Sequence, residues 1–241
     1  MINYTQKTLP DTLLSTSSLN IIRIHGGNLR KLHESFGDHF KKLQELTITN
    51  NKLTSLPNSI GNLQTLVSLF LFNNNITELP ESVGGLKRLV TVSVENNRLK
   101  RLPKSIGRWQ YLNSFYAWNN ILDHLPDTVG EWKYVRTIDL RHNQLENLPH
   151  DANEWENIEF LYLAGNPMCA RDLSIPIQLQ QAKGLCQKQC SVNCEDQWLG
   201  NGYCDDYDLA YESRRNVDPN IKPKPNSGCN TAACEYDKGD C

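Results

Sequence analysis

The 241-residue sequence predicts an α/β coil stack, with a parallel sheet lining its concave face, followed by a small disulfide-rich module. Two observations predict this class. Leucine-like residues recur every 23 positions through the first two-thirds of the chain, and all eight cysteines lie at or beyond Cys169. The charge divides in the same way: residues 190–241 hold ten acidic against five basic residues, whereas the whole chain is only −2. Two modules of different chemistry therefore share one chain.

Composition narrows the function classes. With 39% apolar and 22% charged residues the chain is ordinary globular protein, which excludes wholesale disorder. A pI near 6.3 argues against a strongly basic nucleic-acid or anionic-membrane binder. No apolar run reaches the roughly 18 residues of a spanning helix. Lys7, Pro10 and Asp11 interrupt the first twenty residues, so no signal peptide is recognisable.

The repeat phrase opens at Leu43, Leu66, Leu89, Leu112, Val135 and Ile158, each 23 residues after the last. It reads L-x-x-L-x-L-x-x-N-x-L-x-x-L-P, as in Leu66, Leu69, Leu71, Asn74, Ile76, Leu79, Pro80. An earlier copy begins at Leu19, with Gly27 in place of the asparagine. The second half also repeats: Ser59-Ile60-Gly61, Ser82-Val83-Gly84, Ser105-Ile106-Gly107, Thr128-Val129-Gly130. The L-x-L alternation predicts one short strand per coil and parallel pairing between coils. The asparagine side chain can satisfy backbone groups of adjacent coils. No coil buries its leucines alone; a stack does. Leu9-Pro10 matches the tail of a repeat whose first half is missing, so the expectation is a stack cut from a longer protein.

Residues 1–168 thus resemble the leucine-rich repeat family, in the 23-residue LPxSIGxL type seen in plant-like and Ras-associated repeat proteins. In such a stack, strand residues between the buried leucines face the concave surface. Phe70, Phe72, Tyr116 and Trp118 would form an aromatic patch there, with Phe160 and Tyr162 beyond it and Glu95, Asp139 and Arg141 at its margin. Aromatic residues clustered with arginine suit an interface. The expected partner is a protein ligand on this face, contacted by Phe70, Phe72, Tyr116, Trp118, Arg141 and Tyr162. The competing expectation is that these rings cover one another or lie under another segment of the chain.

From Cys190 the sequence reads C-SVN-C-EDQWLGNGY-C, then a long stretch, then C-NTAA-C-EYDKGD-C. This resembles a Lin-12/Notch repeat, matched at Gly200-Asn201-Gly202, Cys204-Asp205, Cys229-Asn230, Cys234, Asp237 and Gly239-Asp240-Cys241. The resemblance implies three disulfides, Cys190–Cys234, Cys194–Cys229 and Cys204–Cys241; six cysteines on their own allow 15 connectivities. It also implies one calcium ion, with side-chain oxygens from Asn201, Asp237 and Asp240 and a backbone carbonyl from Trp198. Oxygen ligands suit that hard cation, and a segment this small needs disulfides and a metal in place of a core. Two features depart from the family: an inserted loop at 205–228, and Lys238 where glycine is usual. A zinc site on Cys186, Cys190 and Cys194 lacks partner histidines, since none follows His150. Cys169 and Cys186 follow the last repeat phrase, where extracellular relatives carry a disulfide-bonded flank, and residues 169–189 are expected to form that cap through a Cys169–Cys186 bond.

The cysteine density points to an oxidising, extracellular compartment, against the missing leader and the usually intracellular repeat subtype. The sequons at Asn3 and Asn75 permit glycosylation. The chain shows no G-x-S-x-G, H-E-x-x-H, Walker or G-x-G-x-x-G motif, and its six histidines are scattered over different coils. The sequence therefore reads as a non-enzymatic recognition protein. A structural or autoinhibitory piece of a membrane-receptor ectodomain, and an intracellular scaffold for small GTPases, are the alternatives.

Overall fold

The computed structural model describes residues 8–9, 18–170 and 179–186. The chain divides into two compact units, Met1–Leu185 and Cys186–Cys241. The cassette residues Cys190, Trp198, Asn201, Cys194, Cys204, Cys229, Cys234, Asp237, Asp240 and Cys241 lie outside the described residues.

Seven strands form one parallel sheet in sequence order: β1 (Ile21–His25), β2 (Glu45–Thr49), β3 (Ser68–Phe70), β4 (Thr91–Ser93), β5 (Ser114–Tyr116), β6 (Thr137–Asp139) and β7 (Phe160–Tyr162). From β2 onward each strand pairs with the residue 23 places on, Leu46 with Leu69 and Leu69 with Val92. The first step is 24, Ile22 with Leu46. The extra residue falls in a coil whose return leg holds a four-residue α-turn, α1 (Phe36–His39). The rings of Phe36 and Phe40 meet there at 4.8 Å and are fully buried.

The return legs of the next five coils are not α-helices. They are five-residue 3₁₀ turns: η1 (Asn58–Asn62), η2 (Glu81–Gly85), η3 (Lys104–Arg108), η4 (Asp127–Glu131) and η5 (His150–Glu154). Each follows an extended proline (Pro57, Pro80, Pro103, Pro126, Pro149). Proline presets the entry φ and has no N–H to lose, and a 23-residue coil leaves too little chain for a full helix. The glycine of the S-I-G motif is a close-approach residue: a Cβ on Gly61 would stand 2.1 Å from the Ser82 carbonyl oxygen of the next coil.

Leucine, isoleucine and valine at the repeat positions fill the interior, nearly all with no exposed surface. An indole column joins them. Trp109, Trp132 and Trp155 are buried and stacked, with centroids 6.3 and 6.4 Å apart and planes within 8° and 10°. Each indole N–H donates to a carbonyl one coil back: Trp109 to Val83 at 2.9 Å, Trp132 to Ile106 at 2.8 Å, Trp155 to Val129 at 2.7 Å. A buried indole needs such a partner. In the same coil a large Phe115 in one interior strand position is balanced by a small Ala117 in the next, consistent with a core that tolerates swaps when volume is kept.

Two asparagine columns lock the bends after the strands. In the inner column, Asn51, Asn74, Asn97, Asn120, Asn143 and Asn166 are buried. Each Oδ1 accepts a backbone N–H from the preceding coil at 2.9–3.1 Å, as from Ile76 to Asn97. Each Nδ2 donates to carbonyls of its own and the previous coil, as from Asn97 to Leu71 and Val94, both at 3.0 Å. In the outer column, Asn50, Asn73, Asn96, Asn119 and His142 take φ of 50–56°, and Gly26 and Gly165 take the same hand at the ends. The left-handed region favours glycine and asparagine. Asn73 donates to Asn50 at 2.8 Å and Asn119 to Asn96 at 2.6 Å along this column.

The C-terminal edge of the sheet is covered. Leu161 N–H donates to the Lys183 carbonyl at 2.9 Å, Leu163 N–H to Leu185 at 3.3 Å, and Lys183 N–H to Glu159 at 2.9 Å. Residues 183–185 therefore occupy most of the ladder positions that β7 would otherwise expose.

Candidate functional site

The register settles which residues share the sheet face opposite the buried leucines, the face expected to be concave. Arg23, Thr47, Phe70, Ser93, Tyr116, Asp139 and Tyr162 form one column of paired residues across the seven strands. A second column lies two residues earlier: Ile21, Glu45, Ser68, Thr91, Ser114, Thr137 and Phe160. Of this column sequence reasoning used only Phe160, although strand parity was signal enough. Two residues beyond the first column stand Phe72, Glu95 and Trp118. Backbone bonds set them side by side: Asn73 N–H donates to Glu95 at 3.1 Å, and Asn96 N–H to Trp118 at 3.0 Å.

The predicted interface residues fall into two groups. Phe70, Phe72, Tyr116 and Trp118 are half-buried on this face, and among the described residues no other ring stacks on them. Arg141 and Tyr162 are already engaged by the chain. The Arg141 guanidinium donates to Asp139, Nε to Oδ1 at 2.8 Å and Nη2 to Oδ2 at 2.5 Å. Its Cζ sits 5.3 Å from the Tyr162 ring centre. Both partners of this ion pair are largely buried, with side chains 17% and 3% exposed. Tyr162 stacks on Phe160 at 6.1 Å, and Gly184 lies so close that a Cβ there would meet the Tyr162 ring at 2.1 Å. Lys183 Nζ lies 5.6 Å over Phe160. Self-covering thus holds at the C-terminal end, while the aromatic residues of the middle coils stay partly open.

The charges of the face pair along it. Arg23 grips Glu45 with two bonds, at 2.5 and 2.8 Å. That contact holds the Glu45 carboxyl below the usual carboxylate range, and burial opposes it. Glu95 differs. Burial pushes its carboxyl up to about 7, against a 2.7 Å bond from the Ser93 hydroxyl, and the negative charge of Asp139 adds to the rise. Tyr116 is also pushed up, first by burial and then by the charges of Asp139 and Glu95.

Cys169 and Cys186 are each disulfide-bonded. Among the described residues no helix is long and apolar enough to cross a membrane.

Residues 15–120 match the model of a leucine-rich repeat region. Among solved structures, a leucine-rich repeat protein of Leptospira interrogans is 26% identical with a TM-score of 0.52, over 68% of this chain and 47% of that one. The leucine-rich repeat ectodomain of the Arabidopsis thaliana membrane receptor kinase GASSHO1/SCHENGEN3, solved in complex with Casparian strip integrity factor 2, is 25% identical with a TM-score of 0.66, over 76% and 22%. The plant peptide hormone receptor RGFR1, solved in complex with RGF2, is 25% identical with a TM-score of 0.61, over 66% and 26%. The chain spans less than half the length of these three. No curated protein matches it. The match, the 23-residue register and the asparagine columns agree: residues 15–120 are similar to a leucine-rich repeat region, and the same parallel sheet continues through β7.

Proposed function

We propose that the coil stack is a non-catalytic recognition module that binds a protein or peptide ligand on its concave face, through Phe70, Phe72, Tyr116 and Trp118. The observation that carries this reading is the partial exposure of these four aromatic residues on a surface whose frame is fully buried. Polar side chains would serve folding equally well there, so the aromatic residues point to a partner. Two similar structures are receptors solved in complex with a named ligand, which supports the choice of a protein or peptide. The test is capture of binders by the full chain compared with Phe72→Ala and Trp118→Ala. Both variants should lose capture while their unfolding midpoints move little. A large loss of stability would make the rings core residues and remove the reading.

The C-terminal cassette is proposed as a Lin-12/Notch-like module that calcium stiffens through Asn201, Asp237, Asp240 and the Trp198 carbonyl, in an extracellular setting. The oxygen-rich donor set supports this, and so does oxidation of Cys169 and Cys186. The pairing of those two with each other, and the three cassette bonds, belong to the same proposal. Calcium chelation should lower the cassette's melting temperature and leave the coil stack's transition in place. Free thiols at all eight cysteines, with no chelator effect, would favour an intracellular scaffold instead.

A further inference from the structure

The strip of concave face between the two aromatic pairs is chemically unlike its surroundings. Two residues past the ends of β3, β4 and β5 stand Phe72, Glu95 and Trp118, and the last strand residues are Phe70, Ser93 and Tyr116 in direct register. Two aromatic segments thus flank a central one carrying a buried serine and a carboxylate. Neighbouring parallel strands stand roughly 4.8 Å apart, so the rings rise from backbones about 10 Å apart. An inserted side chain in contact with a ring on each side needs roughly 7–8 Å. On that spacing the strip between the rings, a trough over Glu95, is wide enough for one such side chain.

Glu95 is also the one formal charge on this face with no charged or ring partner among the described residues. Arg23 is bound to Glu45, Arg141 to Asp139, and Lys183 lies over Phe160. Glu95 has only the neutral Ser93 hydroxyl. The same face already holds a completed version of the arrangement: Arg141 lies on the Tyr162 ring with its guanidinium on the Asp139 carboxylate. Over β4 the aromatic walls and the carboxylate are present, and the cation is what the ligand would bring.

We propose that this trough receives a lysine or arginine side chain of a peptide ligand, seated between Phe72 and Trp118 with its charge on Glu95. The proposal rests on the concave-face reading above and adds the chemistry of the ligand. A cation between rings gains from their negative faces, and more so when water is displaced. Burial of Glu95 without a cation raises its proton affinity, so a basic ligand would bind with proton release, and more tightly at pH 8 than at pH 5.5. The titratable groups around Glu95 are Tyr116 on β5 and Asp139, itself paired with Arg141, on β6; β3 contributes none.

The experiment is selection of a phage-displayed random dodecapeptide library on the full chain at pH 8, with Glu95→Gln, Phe72→Ala and Trp118→Ala as parallel targets. Unfolding curves confirm that each variant is folded. Expected are binders enriched in Lys or Arg that lose at least tenfold in affinity on Glu95→Gln and on Trp118→Ala, and that weaken severalfold at pH 5.5. Binders that need Trp118 but show no excess of basic residues, or bind Glu95→Gln equally well, would overturn the basic-ligand inference and leave the concave-face reading standing. No binders, or binders indifferent to both Phe72 and Trp118, would overturn both.

Discussion

Replacing Asn97 with alanine tests the physical basis of the stack, because its bonds do not all count equally. The amide group makes four: Oδ1 accepts from Ile76 at 2.9 Å, and Nδ2 donates to Leu71 and Val94 at 3.0 Å and Glu95 at 3.2 Å. All three carbonyls keep another donor. Asn74 Nδ2 reaches Leu71 at 2.9 Å, Asn120 Nδ2 reaches Val94 at 3.0 Å, and the Asn73 N–H reaches Glu95 at 3.1 Å. Only the Ile76 N–H is orphaned. One buried orphan costs about 1–3 kcal/mol, and the lost second bonds and the small void add roughly 1 kcal/mol more. Asn97→Ala is therefore expected to cost about 2–4 kcal/mol. The adjacent Asn96, half-buried and at φ 52°, supplies the control. Asn96→Gly relieves left-handed strain while giving up one surface bond, and should shift stability by less than about 1 kcal/mol. Urea unfolding followed by the fluorescence of the stacked tryptophans reads both, with slopes compared to detect any change in cooperativity. A loss below about 1 kcal/mol in Asn97→Ala, or one equal to that in Asn96→Gly, would refute the claim that orphaned backbone groups set the cost.

Two further outcomes follow. The Glu95 carboxyl is raised from 4.5 to about 7 in the folded chain, so its ionised form is disfavoured by folding, and native stability falls as pH rises from about 4.5 through 7. The shift corresponds to a ceiling of about 3 kcal/mol, which partial solvent access at Glu95 reduces. Glu95→Gln should match wild type at pH 4 and exceed it at pH 8; an unchanged difference across that range in denaturant titrations would contradict the raised Glu95 carboxyl. Gly61→Ala would place a methyl 2.1 Å from the Ser82 oxygen, forcing η1 and η2 apart. A loss of about 2 kcal/mol or more in thermal unfolding is expected, and a neutral result would mean that the coils are looser than described.

Much of the stack was legible in the residues. The repeat of 23, the buried leucine positions and the capping role of Asn74, Asn97 and Asn120 follow from two facts any chain obeys: strand side chains alternate faces, and turn backbone must find partners. The concave column through Phe70 and Tyr116 was legible for the same reason. What parity does not encode is who meets whom across coils. Trp109, Trp132 and Trp155 look like unremarkable aromatic residues in the sequence, and only stacking of successive return legs makes them a buried column. The asparagine pairs at 50–51, 73–74, 96–97 and 119–120 held the signal for the left-handed outer column. The α/β class left the return legs unspecified; they form 3₁₀ turns, since proline entry and a short coil limit them to one tight turn.

Residue order alone therefore determined that coils stack, which apolar side chains face inward, and which columns share the opposite face of the sheet, because these follow from local periodicity repeated many times. Tertiary structure alone decided that Arg141 is spent on Asp139 and Tyr162, that Arg23 answers Glu45, and that Glu95 has no countercharge among the described residues. Charge pairing depends on separations of a few ångströms between residues more than twenty apart in the chain or two apart in the same coil, and only the stacked coils fix those distances.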